Sequence, residues 1–234
     1  MVARPSLGRM QTLHRLLRCN DEHAEAFDSR FDDVQDGQSP DAVTVCCSDS
    51  RVLQDHAFGN DEPGRLFTCA NIGNRVVQRT DAGEVVSGDV LYPIAHAGTE
   101  LAVVVGHTGC GAVTATYDAL TEGVDEPAGI AHCISLLEAH LADGLAALPD
   151  GLDRTAAIDH LVEYNVDRQV EALRGSGDVP DDVTVAGVVY DFQDVYGGRR
   201  GEVHVVNVDG ERSVPVLREA HPEIESRIRR RWEY

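Results

Sequence analysis

The sequence predicts an α/β fold: a mostly parallel central β-sheet flanked by helices, with an N-terminal helical arm. Short apolar, β-branched runs recur at 42–47, 66–70, 101–106, 183–189 and 203–208 and read as buried strands. Helical stretches fall among them at 112–120, 130–141 and 155–173, and turn residues mark breaks at 36–40, 59–64 and 150–153. Strands alternating with helices imply parallel pairing.

Taken in order, residues 1–35 place Leu13, Leu16, Leu17, Ala24, Phe27 and Phe31 at the spacing of amphipathic helix, which predicts the arm. Residues 36–234 follow without a repeat, a low-complexity tract or a composition shift, so the chain reads as one domain overall. The run 42–47 ends at Cys47. Residues 86–96 suggest a helix that Pro93 interrupts unless it lies in the first turn. The run 101–106 is the strongest buried strand and ends directly at His107. In the long helix at 155–173, Leu161, Tyr164, Val166 and Val170 stand only roughly at helical spacing. Gly197-Gly198 marks the turn between the last two strands. Residues 219–234 suggest a helical tail carrying Arg229-Arg230-Arg231.

The chain has 234 residues, 40 acids against 20 bases, no lysine, and a formal charge of −20. Such a surface disfavours nucleic acid and anionic membrane, both of which need cationic contacts. Neither a run of 18 apolar residues nor an apolar signal segment is found, so a soluble, cytoplasmic protein is expected. A bias toward arginine codons would account for the bases. Adaptation to high salt accounts for the acids as well, because repulsion is screened within about 3 Å at 1 M. Six cysteines in a chain this long are too few for a disulfide framework, which leaves metal or redox chemistry.

Two segments hold that chemistry: Cys47-Ser48-Asp49-Ser50-Arg51 and His107-Thr108-Gly109-Cys110. Zinc favours thiolate and imidazole, and a catalytic zinc keeps its fourth position open. Cys47, His107 and Cys110 offer three such ligands at predicted strand ends, where open α/β sheets gather their ligands. The start of the following helix would favour Cys110 as thiolate. Asp49 and Arg51 would pair beside the open position. Cys46 competes with Cys47, but alternation along a strand turns the two to opposite faces. Cys19, Cys69 and Cys133 have no partner at ligand spacing and read as buried thiols. The remaining histidines are scattered singly.

Cys-x-Asp-x-Arg at a strand end, followed by His-x-x-Cys after an apolar strand, strongly resembles the β-class carbonic anhydrases. The resemblance runs from about Gly37 to Asp209 and includes Gly106, Gly109, Gly111 and the late strand at 188–191. It implies one zinc ion per subunit on Cys47, His107 and Cys110, and an Asp49–Arg51 dyad that orients the reacting water. It further implies reversible hydration of carbon dioxide to bicarbonate by hydroxide generated at the zinc. Gln38 matches a substrate-binding glutamine, and Phe67 and Tyr92 match aromatics lining the substrate cleft across a dimer interface. A homodimer or homotetramer is implied, with residues 10–31 as an arm packed on the partner, although their amphipathic pattern fits packing on their own domain equally well, and 36–234 would be the catalytic domain. Ala70 stands where family members usually carry arginine, and Thr44 where some carry tryptophan. Both departures imply that the bicarbonate effector pocket of those members is dismantled.

Several alternatives stay open. The same constellation serves carbon disulfide and carbonyl sulfide hydrolases of this fold. Asp49 as a permanent fourth ligand would give a non-catalytic zinc protein kept for assembly. Asp49 could also move onto the metal at low pH, leaving Arg51 without its partner. A redox thiol protein is the weakest reading, since adjacent Cys46 and Cys47 have poor disulfide geometry. The charge itself can be tested: the unfolding midpoint should rise between low and molar KCl, and an unchanged midpoint overturns the salt-adaptation reading.

Overall fold

In the computed structural model, residues 8–25 and 29–234 are described. They fall into two units, one ending at Gln38 and one spanning Ser39–Tyr234. The first holds helix α1 (Arg9–Glu25) and a 3-10 turn at Ser29–Val34. Met10, Leu13, Leu16 and Leu17 are exposed on α1, and Phe27 lies outside the described residues.

The second unit runs β1 (Ala42–Cys47), α2 (Gln54–Ala57), β2 (Leu66–Asn71), β3 (Val77–Thr80), β4 (Gly83–Val86) and α3 (Gly88–Ala97). It continues with β5 (Leu101–His107), α4 (Gly111–Thr121), α5 (Ala128–Ala147), α6 (Arg154–Arg174), β6 (Thr184–Asp191), β7 (Glu202–Val208) and α7 (Val214–Ala220). The main sheet has the order β2-β1-β5-β6-β7. Its first four strands are parallel and β7 is antiparallel to β6. Every residue of β1 is buried, as expected of a central strand. From β1 the chain turns first to β2 on one side and later to β5 on the other, so a topological switch point lies between β1 and β5. A crevice opens at the carboxyl ends of strands that diverge in this way. Cys47 and His107 are the last residues of those two strands.

Three local expectations are revised. The helix expected around 86–96 forms as α3 but begins only at Gly88, because Val86 closes an antiparallel hairpin of β3 and β4 and Ser87 then caps α3 by accepting from the Asp89 N–H at 3.4 Å. Pro93 sits inside α3 rather than in its first turn. A proline cannot donate to the carbonyl four residues back, and the Cys69 thiol donates to that Asp89 carbonyl instead, at 3.4 Å. The tail is not a continuous helix either: α7 stops at Ala220, a 3-10 turn spans Pro222–Arg227, and Ile228 bridges to Val205.

Helix α6 explains its own weak periodicity. It is buried on nearly all sides, and Asp159, His160, Glu163, Asn165, Asp167 and Gln169 are buried along with its apolar residues. Gly106 lets it approach β5 closely, since a Cβ there would lie 2.6 Å from Val166. Asp159, Glu163 and Asp167 recur every four residues, which places three buried carboxylates along one helix face. The C-terminal segment answers two of them. Arg230 donates to both Asp167 oxygens at 3.2 and 2.8 Å, and Tyr234 donates to Asp167 at 2.7 Å. Glu163 accepts the Arg231 and Trp232 amides at 2.6 and 3.2 Å and the Tyr196 hydroxyl at 2.8 Å. Removing one member of a buried ion pair leaves an uncompensated charge. Arg230→Ala should therefore cost about 3–5 kcal/mol in denaturant unfolding, with a neutral effect overturning this account of the tail.

Candidate metal centre

The crevice brings together Cys47 from the end of β1, His107 from the end of β5, and Cys110 from the cap position of α4. One ligating atom from each lies within 4.8 Å of the others, and all three residues are buried. The two sulfurs are 3.7 Å apart. His107 is fully buried, and its Nδ1 lies 3.0 Å from the Thr108 carbonyl oxygen. A carbonyl only accepts, so Nδ1 carries the proton and Nε2 keeps a lone pair. That Nε2 is a buried polar atom without a hydrogen-bond partner. An orphaned imidazole nitrogen beside two sulfurs is the donor set that suits zinc.

The Cys110 S–H donates to the Cys47 sulfur. Donation from the Cys110 S–H brings Cys47 down to about 5. Cys110 is pushed well above its ordinary value by that hydrogen bond and by burial, although the Ala112 and Val113 amides of α4 oppose this. The amides at the helix start thus favour the Cys110 thiolate, as the sequence suggested, against burial and the neighbouring sulfur, and the Gly73 amide favours that of Cys47.

Asp49 and Arg51 form a bidentate pair. Arg51 Nε donates to Oδ1 at 2.9 Å, Nη2 donates to Oδ2 at 2.6 Å, and the Arg51 amide also donates to Oδ1 at 2.9 Å. Nη2 reaches the Gly109 carbonyl as well, at 3.0 Å. These bonds from Arg51 hold the Asp49 carboxyl down to about 2. Asp49 Oδ2 lies 3.7 Å from His107 Nε2, so the pair stands beside the three ligating atoms.

A carbonic anhydrase family model matches residues 42–199. The chain belongs to the carbonic anhydrase family. A carbonic anhydrase of Pseudomonas aeruginosa is 33% identical over 145 residues, which cover 62% of this chain and 63% of the relative. The chain thus matches less than two thirds of that relative's length. Among solved structures, a β-carbonic anhydrase of Coccomyxa in complex with acetazolamide is 25% identical, with a TM-score of 0.66, covering 89% of this chain and 90% of that one. A tetrameric β-carbonic anhydrase of Sordaria macrospora shares the fold, with a TM-score of 0.65 at 22% identity over 84% of this chain and 97% of that one.

The carbonic anhydrase resemblance also singled out Gln38, Phe67 and Tyr92. Gln38 is exposed at the end of the first unit. Phe67 lies on β2 four residues before Asn71, the partner of Cys47, so it is roughly 13 Å along the sheet at about 3.3 Å per residue. Tyr92 on α3 is 52% exposed, and its ring centroid is 6.3 Å from that of Phe67. Cys46 packs with Val52, Val105 and Val188, apart from the cluster that contains Cys47 and Cys110. Cys19 is exposed rather than buried, and Cys133 is half-buried with Arg75 3.4 Å from its sulfur. A cavity of about 320 Å³ opens beside Cys46, Cys47, Ser48, Asp49, Gln54 and Ala70, and among the described residues no cationic side chain lines it. The Thr44 hydroxyl points to Gln54, donating to its Oε1 at 3.0 Å.

Sequence reasoning missed Phe192. Its ring stacks on His107 with centroids 6.0 Å apart, while the Arg51 guanidinium lies 4.9 Å from the ring centre. It follows the late strand directly, but nothing in a lone aromatic after a strand signals such a contact. Gly109 holds φ at +59°, and a Cβ there would meet Gln193 Oε1 at 2.8 Å. Placing an L side chain in the left-handed region costs about 1–2 kcal/mol. Gly109→Ala should lose at least that much in urea unfolding, and an unchanged midpoint would show that the turn relaxes freely.

Proposed function

We propose that this chain is a zinc enzyme catalysing the reversible hydration of carbon dioxide to bicarbonate and a proton, with one zinc per subunit on Cys47, His107 and Cys110. The observation that carries it is the buried Cys47–His107–Cys110 trio, with His107 Nε2 unpartnered, set beside the Asp49–Arg51 pair. Family membership supports the reaction class, and the P. aeruginosa relative is itself named a carbonic anhydrase.

When bound, zinc supplies the Lewis acidity that lowers the pKa of a water to about 7. The chain's own residues do the rest. Asp49 is ionised and therefore accepts only, so it fixes where the reacting water points its proton and where its lone pair faces. Arg51 holds Asp49 through two side-chain hydrogen bonds and anchors to the Gly109 carbonyl, which ties the dyad to the ligand turn. Cys47 and Cys110 would both hold the cation as thiolates, giving up their protons on binding.

Gln38 is assigned to substrate binding, and Phe67 and Tyr92 to lining the substrate cleft across a dimer interface. The exposure of Tyr92 supports that reading, since its ring is available to a partner. A homodimer or homotetramer is also supported by an apolar groove of about 560 Å³ on one sheet face, lined by Ala42, Leu101, Val103, Val188, Val203 and Val205. The exposed leucines of α1 point the same way, as does the tetrameric state named for the Sordaria protein. Among the described residues no helix is long and apolar enough to cross a membrane. A cytoplasmic, salt-adapted enzyme is the reading that the acidic, lysine-free composition supports.

Stopped-flow hydration of carbon dioxide, with zinc quantified, tests the assignment. Cys110→Ala should lose metal and activity together. Asp49→Ala should keep its metal and lose about a hundredfold or more in kcat. Full activity in Asp49→Ala overturns the mechanism, and turnover of carbon disulfide or carbonyl sulfide without hydration overturns the substrate. Added bicarbonate should inhibit no more than a product of the reaction does, because among the described residues no cation lines the cavity beside Ala70 to hold it as an effector.

A further inference from the structure

Between His107 and Cys110 the chain makes a turn of two residues, Thr108 and Gly109, and two carboxylates from distant elements hold that turn from behind. Asp159 on α6 is 3% exposed, and its Oδ1 accepts the Gly109 amide at 3.0 Å. Asp191 at the end of β6 is 1% exposed, and its Oδ1 accepts the Thr108 hydroxyl at 3.3 Å. Neither carboxylate belongs to the ligand trio or the dyad. Asp191 is braced in turn, since its Oδ1 and Oδ2 accept the amides of Gln193 and Tyr196 at 3.1 and 2.8 Å. The Thr108 amide itself donates to the Tyr190 carbonyl at 3.1 Å.

A buried carboxylate is costly unless its bonds are useful, and a backbone amide in a left-handed turn needs an acceptor that the turn itself cannot offer. These two costs cancel against each other at Gly109. The consequence is directional. With Gly109 and Thr108 both tethered, the separation of His107 Nε2 from Cys110 Sγ is set by α6 and β6, not by the turn's own preferences. Resting on the zinc reading above, we infer that Asp159 and Asp191 are positioning residues that set how tightly the ligand turn retains its metal. Asp159 dominates, because it acts on the peptide itself, whereas Asp191 acts through a side chain and is shared with the loop after β6.

Outer-sphere partners of metal ligands typically change metal affinity about 10- to 100-fold when removed. The test compares zinc release to a chromogenic chelator from the full-length protein and from Asp159→Ala, Asp159→Asn and Thr108→Val. Asp159→Ala should release zinc about 10- to 100-fold faster than wild type. Asp159→Asn keeps a carbonyl acceptor for the Gly109 amide and should recover most of that loss, while Thr108→Val should show a smaller acceleration. Unfolding midpoints measured alongside separate retention from general destabilisation. Equal release by wild type and Asp159→Ala overturns the inference. Equal acceleration in the Ala and Asn variants, in step with lowered midpoints, also overturns it, because burial rather than the hydrogen bond would then be responsible. Release rates need no turnover. A wild type that holds zinc without hydrating carbon dioxide would therefore remove the proposed reaction and leave this inference standing, whereas a wild type that holds no zinc removes both.

Discussion

Two sulfurs 3.7 Å apart and an unpartnered imidazole nitrogen share one buried crevice, and the surrounding structure is arranged to keep them there. Left to themselves such groups would separate or find water, since an unsatisfied buried polar atom costs about 1–3 kcal/mol. A doubly charged cation turns the same arrangement into a favourable one, because deprotonated thiolate and neutral imidazole are the forms that bind it. The surroundings pre-set those forms. The Thr108 carbonyl selects the His107 tautomer, the helix start and Gly73 offer amides to the sulfurs, and Arg51 keeps Asp49 ionised.

Helix α6 is the frame for this arrangement. Three of its buried polar residues reach out to loops. Asp159 holds the turn between the ligands, Asn165 donates to the Gly73 carbonyl at 3.1 Å, and Gln169 accepts the Val76 amide at 2.8 Å. The loop that offers its Gly73 amide to Cys47 is thus tied to the same helix that holds Gly109. Lower down, Glu163 and Asp167 bind the C-terminal segment, so one helix face reaches from the metal turn to the tail. Polar groups buried this way specify geometry that apolar packing alone would leave loose.

Much was legible beforehand. The strand at Ala42–Cys47 and the end of β5 at His107 followed from apolar β-branched runs, whose period and bounds report burial directly. The pairing of Cys-x-Asp-x-Arg with His-x-x-Cys pointed to the family without any coordinates. The hairpin of β3 and β4 was missed because its four-residue strands are mostly exposed and carry little apolar signal. Pro93 suggested a break that Cys69 removes from a neighbouring strand. The tail was read as helix from its composition, yet its buried arginine and amides are used to pair with α6.

What the sequence determined by itself is therefore chemical and local: which residue types sit at strand ends, which strands are buried, and which side chains can hold a metal. Only the tertiary structure decided that the Cys47 and Cys110 sulfurs meet, that Phe192 bridges His107 and Arg51, and that Asp159 serves a turn 50 residues away. The division has a physical reason. Periodicity and residue chemistry act over a few positions of chain, whereas a contact between two sulfurs, or an acceptor supplied to an amide, depends on ångström distances between elements that only packing sets.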